Sequence, residues 1–314
     1  MDIRRSLRAR RDQSKEGHFT KLGNQLIKLR MTPDPAAVEK ANWGGLRISL
    51  SRFWEGTPIG QEGSFRGIVL TAWYLLKGSV VVRKDHCEAT AGPGEWMVCH
   101  PGERHQQFTD SARIISLHFQ LESLENAARW TGHPVVAFAT NPALGRHLKE
   151  LRGTSILRNL TDKGRLNPET EWATLESTLE LKEREIAFFR PLLRVMETHG
   201  MKYEVSPIND PRVRESLRRL AGLDFRQGFA RMDLAGELGL SASQLDRLWM
   251  RELAETPRHF WNRRRLEVAC ALLLEKRPGK EVAYETGFRH LSQFSLWFKT
   301  NIGESPREFQ ARHQ

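Results

Sequence analysis

The chain has 314 residues, 39% of them apolar and 28% charged, with a formal net charge of +11. That length accommodates two domains with buried cores, and the apolar content excludes wholesale disorder. No apolar run approaches the roughly 18 residues of a membrane span, and the positive balance points to a polyanionic partner.

Residues 1–30 carry nine Lys/Arg against three Asp/Glu, and residues 209–314 carry 19 against 14, so the charge sits at the two ends. The N-terminus "MDIRRSLRARRDQSKEGH" has the charge of a signal n-region, but no apolar h-region follows it. Cys87, Cys99 and Cys270 show no pairing pattern. A reducing, cytoplasmic setting is the expectation, with no membrane partner. Residues 1–45 read as a basic, solvated arm and lead-in.

From 46 to 121 the texture is that of strands. "LRISLSRF", "GIVLTAWYLL", "SVVVRK", "EWMVCH" and "ARIISLHFQL" are rich in β-branched, aromatic and leucine residues, and Gly/Pro turns separate them. Strands at this spacing predict an antiparallel sandwich or barrel. From 122 to about 208 the pattern turns helical. "NPALGRHLKELRG" predicts one helix and "NPETEWATLESTLELKEREIAFF" a longer one, with Trp172, Leu175 and Leu179 as its apolar stripe. Pro191 is expected to end or kink it, and the stripe to pack on the barrel or on a second copy. "SPINDPRVRE" reads as a linker.

Residues 209–314 hold only short helices, and one unit recurs in them. In "KEVAYETGFRHLSQFSLWFKTNIGESP" the small Ala283 precedes Gly287 by four, and Phe294 and Phe298 stand at i and i+4. In "MDLAGELGLSASQLDRLWMRELAETPRHF" Ala235 and Gly239 repeat that spacing, and Leu245 and Trp249 repeat the pair. Ser241/Gln244 and Ser305/Glu308 form capping boxes, and Thr256-Pro257 starts another helix as Ser305-Pro306 does. The helix joining the copies, roughly 257–276, has Leu266, Ala269, Cys270 and Leu273 on one face, which makes Cys270 a core thiol. A small residue, a turn glycine and an amphipathic second helix make a helix-turn-helix, whose second helix fits the roughly 12 Å major groove.

Those residues, "LGLSASQLDRLWMRELAETPRHF" and above all "EVAYETGF…SQFSLWFKTNIGESPREFQ", resemble the DNA-binding domain of the AraC/XylS family of transcriptional regulators. The resemblance implies a first recognition helix showing Ser243, Asp246 and Arg247 to DNA, and a second showing His290, Leu291, Ser292, Gln293 and Leu296. Arg247 is suited to guanine O6/N7 and Gln293 to adenine N6/N7. Arg263, Arg264 and Arg265 on the connecting helix are candidates for phosphate contact. Family members often carry Arg at the place of Leu296 and Gly at the place of Ala254. The turn "EKRPGKE" is one residue shorter than their pattern.

"GPGEWMVCHPGERHQQF" resembles the second cupin motif through Gly94, Pro101, Gly102 and His105. With the C-terminal match it implies the β-barrel sensor of many such regulators. Cupin enzymes add a His-x-His pair and a Glu upstream to hold a metal. Here "QEGSFRGIVLTA" has no histidine, so neither a metal nor a cofactor is expected. Trp54, Trp73 and Trp96 lie in or beside strands, where an indole face can stack on a sugar ring. With His100 and His105 they are the candidate ligand-binding residues.

The reading is an α+β chain of two domains. A cupin-like antiparallel β-barrel (46–121) with a helical dimerisation or linker segment (122–208) precedes an all-α domain with two helix-turn-helix units (209–314). The function expected is a ligand-responsive, sequence-specific regulator, an activator by family habit, and not an enzyme. Its expected partners are double-stranded DNA, a sugar-like small-molecule effector, RNA polymerase and a second copy in a homodimer. A metal-dependent cupin enzyme with an appended helical module is the alternative.

Overall fold

The computed structural model describes residues 43–162, 167–168 and 172–312. The basic arm expected at the N-terminus lies outside these, apart from a short 3-10 turn at Trp43–Gly45.

Ten strands follow: β1 (Leu46–Gly56), β2 (Gly63–Gly67), β3 (Leu70–Lys77), β4 (Val80–Lys84), β5 (Cys87–Ala91), β6 (Glu95–Cys99), β7 (Gly102–Phe108), β8 (Arg113–Ser123), β9 (Asn126–Gly132) and β10 (Val135–Ala139). They form an antiparallel five-stranded sheet, β1-β8-β3-β6-β10, and a four-stranded one, β2-β7-β4-β5. Along β3 successive side chains alternate between two cores. Trp73 and Leu75 pack with Val80, Val82, Met97 and Phe108. Leu70 and Ala72 join Phe119, Phe188 and Leu192 on the opposite face. With both faces covered, "GIVLTAWYLL" reads as a nearly continuous apolar run rather than an alternating one.

That second face is closed by α1 (Pro142–Arg152), α2 (Ser155–Asp162) and α3 (Leu175–Thr198). Asn141 caps α1 by accepting from Leu144 N at 2.9 Å. Trp96 and Phe119 meet Phe188 and Phe189 of α3 with ring centroids 5.5 and 5.0 Å apart.

The region between 122 and 208 differs in part from the helical expectation. The β structure continues past residue 121 into β9 and β10. A further strand, β11 (Met201–Pro207), pairs antiparallel with β9 from Met201↔Gly132 to Pro207↔Asn126. The long helix does not end at Pro191 but runs through it to Thr198, because Phe188, Phe189, Leu192 and Met196 on both sides of the proline are buried. Packing there outweighs the lost backbone donor. The expected stripe does not pack on the sheet: Trp172 lies before the helix, and Leu175, Leu179 and Ile186 are exposed. The buried face is the one through Leu181, Glu185, Phe188 and Leu192.

The expected linker is short and ordered. Ile208 is buried among the following helices, and Asp210 caps α4. Seven α-helices then appear among the described residues: α4 (Pro211–Gly222), α5 (Arg231–Glu237), α6 (Ala242–Leu253), α7 (Pro257–Leu274), α8 (Gly279–Glu285), α9 (Leu291–Ile302) and α10 (Pro306–Arg312). The N-terminal half of α7 belongs to one core, with Val213, Leu217, Leu245 and Trp249 against Phe260 and Trp261. Its C-terminal half belongs to another, in which Leu266, Ala269, Cys270 and Leu273 meet Val282, Phe294 and Phe298. Cys270 is a buried core residue. No helix among the described residues is long and apolar enough to cross a membrane.

Candidate nucleic-acid interface and internal cavity

The two sequence units fold into the same turn. In the first, Gly239 (φ 67°) donates to Gly236 O and Leu240 N donates to Ala235 O at 2.9 Å. In the second, Gly287 (φ 73°) donates to Tyr284 O and Phe288 N to Ala283 O at 2.8 Å. Ala235 and Ala283 are both buried, which lets each pair of helices approach closely. The capping boxes at Ser241/Gln244 and Ser305/Glu308 form in both directions.

Leu245 and Trp249 anchor α6 inward, and Phe294 and Phe298 anchor α9. Trp249 Nε1 also donates to Ser216 Oγ at 2.7 Å. The opposite faces are open. Ser243 and Arg247 are exposed on α6, with Arg247 Nε donating only to Ser243 O at 3.3 Å. Asp246 is turned aside and pairs with Arg231 at the start of α5, 2.6 Å away. On α9 and at its N-cap, His290, Leu291, Ser292, Gln293 and Leu296 are all exposed.

Ala254 ends α6 in the left-handed conformation (φ 56°), where a side chain costs about 1 kcal/mol. Ala254→Gly is expected to stabilise the protein by about 0.5–1 kcal/mol in urea denaturation. The shortened turn before α8 places Lys276 in that region as well (φ 60°). Gly279 opens α8 against Leu291, so a Cβ there would stand 3.4 Å from Leu291 Cδ1.

Arg263, Arg264 and Arg265 of α7 are engaged by other groups of the protein. Arg263 pairs with Glu255 and Glu267, each at 3.1 Å. Arg264 pairs with Glu122 of β8 and with Glu267 at 2.9 Å. The Arg265 guanidinium lies 3.6 Å from the Phe288 ring centroid, between Trp261 and Trp297, and donates to Thr286 O. Burial pulls its pKa down to about 10. Glu267 is buried, which pushes its carboxyl upward against the pull of Arg263 and Arg264. Gln120 donates to it at 3.1 Å. This network joins the five-stranded sheet to the helix shared by the two helix-turn-helix units.

Beside it lies a cavity of about 240 Å³. One wall comes from β1, β3, β7 and β8, with Arg52, Thr71, Trp73, Arg104, Gln106 and His118. The other comes from α7, α9 and α10, with Val268, Ala271, Leu274, Ile302 and Phe309. Arg104 is only 8% exposed. Its Nε donates to Gln106 Oε1 at 2.8 Å, its guanidinium lies 5.1 Å from the Trp73 ring, and its Nη1 has no hydrogen-bond partner. Burial lowers its pKa, with only Cys99 acting the other way.

Of the five ligand-binding candidates from the sequence, the structure brings Trp73 to this cavity. Trp96 lies in the core under α3 and donates to Thr140 Oγ1 at 3.2 Å. Trp54 packs beside the inter-sheet core. His100 lines a separate cleft with Gly132 and Pro134, and its pKa is lowered mainly by burial. His105 is exposed, because the pleat of β7 turns Arg104, Gln106 and Phe108 inward. Sequence reasoning missed Arg104 and Arg52. Period-two alternation in "GERHQQF" was the available signal, since Phe108 marks the inner face and Arg104 and Gln106 share it. Among the described residues no group of three or more His, Cys, Asp or Glu is arranged to hold a metal ion.

Residues 234–312 match a family model described as a helix-turn-helix domain. The fold as a whole is similar to that of ToxT from Vibrio cholerae. An apo variant from strain SCE256 is 14% identical with a TM-score of 0.51, covering 87% of this chain and 100% of that one. ToxT from strain O395 is 12% identical with a TM-score of 0.52, over 86% and 98%. Wild-type ToxT from strain SCE256, solved with an unsaturated fatty acid bound, is 14% identical with a TM-score of 0.52, over 86% and 96%. At these identities the likeness is one of fold. No curated protein matches the sequence.

Proposed function

We propose, for a chain that carries an AraC-type helix-turn-helix domain on the two-part fold it shares with ToxT, a sequence-specific DNA-binding transcription regulator governed by a small molecule. The observation that carries this reading is the duplicated unit. Two turns with the same hydrogen bonds each hold a helix by a buried i, i+4 pair and leave its other face open. Arg247 on α6 and Gln293 on α9 are then the base-reading side chains. Asp246 positions α5 through Arg231. Arg263, Arg264 and Arg265 hold α7 in place and do not supply the phosphate contacts.

The effector belongs in the cavity between the sheets and α7. Its walls include the end of α9 and Phe309 of α10, so a bound molecule touches the second reading unit directly. It shifts DNA affinity to the extent that it binds two arrangements of that contact unequally. A buried guanidinium with an unpartnered Nη1 amid apolar residues suits an anionic head on an apolar body. ToxT with its bound unsaturated fatty acid is a protein of this fold holding a ligand of that pattern. The sugar-type effector expected from the tryptophans would have only Trp73 at this site. The reading extends to a homodimer that activates through RNA polymerase, as the family resemblance implies.

The test is selection of bound duplexes from a random pool by the full-length protein at about 150 mM salt, where non-specific binding is weak. Two boxes about one helical turn apart are expected. Arg247→Ala should relax the first box at one position and weaken binding about 10- to 100-fold, from the roughly 1–3 kcal/mol of a bidentate base contact. Binding without any selected sequence would overturn the reading.

A further inference from the structure

The two reading helices can be compared position by position through their buried anchors. Aligning Leu245 and Trp249 of α6 with Phe294 and Phe298 of α9 places Ser243 opposite Ser292, Gln244 opposite Gln293 and Arg247 opposite Leu296. Each reading position lies two residues after the first anchor, at the middle of the open face. The first helix offers a guanidinium there, and the second offers an isobutyl group that is 71% exposed. Ser292 and Thr300 flank Leu296 one turn to either side, and the Thr300 hydroxyl is turned back to Leu296 O at 2.8 Å.

A second difference separates the helices. Gln244 accepts from Ser241 N at 2.8 Å as part of its capping box and is committed to the protein. The N-cap of α9 is His290, which makes no side-chain capping bond. Gln293 is therefore not drawn into a box and stands exposed beside Leu296.

An exposed leucine in this place has one counterpart in the major groove. The thymine C5-methyl is the only alkyl group a base pair presents there, whereas the guanine edge presents two acceptors that a leucine would desolvate without replacement. We propose that the second unit is specified by Leu296 reading a thymine methyl, with Gln293 reading an adjacent adenine, where the first unit reads guanine through Arg247. The two boxes are then chemically unlike, and the site bound by one protomer is directional. This inference rests on the DNA-reading function proposed above.

Uracil in place of thymine removes the methyl and keeps both base-pairing edges. The experiment takes the selected duplex, replaces each thymine of the second box singly by deoxyuridine, and measures affinity for the full-length protein and for Leu296→Ala. One replacement should weaken the parent about three- to fivefold, the equivalent of one buried methyl. Leu296→Ala should bind the thymine duplex correspondingly less well and be indifferent to that replacement. Leu296→Arg, put through the selection, should exchange the thymine for guanine. The inference is overturned if no uracil weakens the parent, if the alanine variant keeps the sensitivity, or if the parent itself selects guanine at that position. A selection that yields only the Arg247-dependent box also overturns it while sparing the function. A selection that yields no box at all overturns the function as well. Leu296 is exposed, so these variants fold as the parent does.

Discussion

Gly287→Ala should destabilise the protein by more than about 3 kcal/mol, whereas Gly239→Ala, the same change in the other unit, should cost about 1 kcal/mol. Both glycines are left-handed, with φ of 73° and 67°, so both alanines carry the same local strain. Their surroundings differ. A Cβ on Gly239 would meet nothing within 4 Å. A Cβ on Gly287 would lie 2.1 Å from Phe225 O and 2.8 Å from the Phe225 carbonyl carbon. These are backbone atoms, and no rotamer change relieves the overlap. Phe225 sits in the 3-10 turn Phe225–Gln227 between α4 and α5, with its ring 5.5 Å from that of Trp261. Gly287 is thus the point where the turn of the second unit abuts the backbone of the first. Urea denaturation of both variants gives the comparison. Equal losses would mean that the Phe225 turn yields readily and that the units are held together elsewhere. Because the contact links the units, Gly287→Ala should also weaken DNA binding more than its position outside α9 suggests.

The helical third of the chain was legible because its signals are local. Ala-to-Gly spacing, capping serines and an i, i+4 aromatic pair all act within a dozen residues, and the turns, boxes and anchors formed where they were read. The region between 122 and 208 was less legible because its structure is decided at long range. "MKYEVSP" alternates weakly and forms a strand only because β9, some 70 residues earlier, is there to pair with it. Helix α3 carries two apolar stripes, and the sheet selects the one through Leu181, Phe188 and Leu192. Periodicity alone does not say which stripe faces the core. The roles of Arg263, Arg264 and Arg265 were hidden for the same reason. A basic run does not show which carboxylates fold against it, and here Glu122, Glu255 and Glu267 pair with Arg263 and Arg264. Arg104 stands in a polar stretch, and the pleat of β7 turns it inward with Gln106 and Phe108.

That inward arginine leads to the second large effect, which has two opposite signs. Arg104→Met should make the ligand-free protein more stable, by about 1 kcal/mol or more, while removing its response to a carboxylate effector. A buried ion that lacks a compensating charge costs free energy, and an apolar side chain of similar volume removes that cost. The guanidinium recovers part of it from Gln106 Oε1 and from the Trp73 ring. Its Nη1 recovers none from a hydrogen bond within the protein. A carboxylate entering the cavity would supply the missing partner in a desolvated setting, where truncating one member of such a pair costs about 2–5 kcal/mol, or roughly 30-fold or more in affinity. Thermal unfolding of parent and variant, alone and with aliphatic and aromatic carboxylates beside their alcohol and amide analogues, reads both signs at once. The expected pattern is a higher melting temperature for the variant alone, and an upward shift with carboxylates in the parent only. If the variant were less stable than the parent, the guanidinium would already be satisfied by the fold and the cavity would have no need of an anion. If the alcohols shifted the parent as strongly as the acids, the apolar wall from Val268 to Phe309, and not the arginine, would select the effector. The expected pattern would explain a residue kept at a cost to stability beside the contact of the β-sheets with α7.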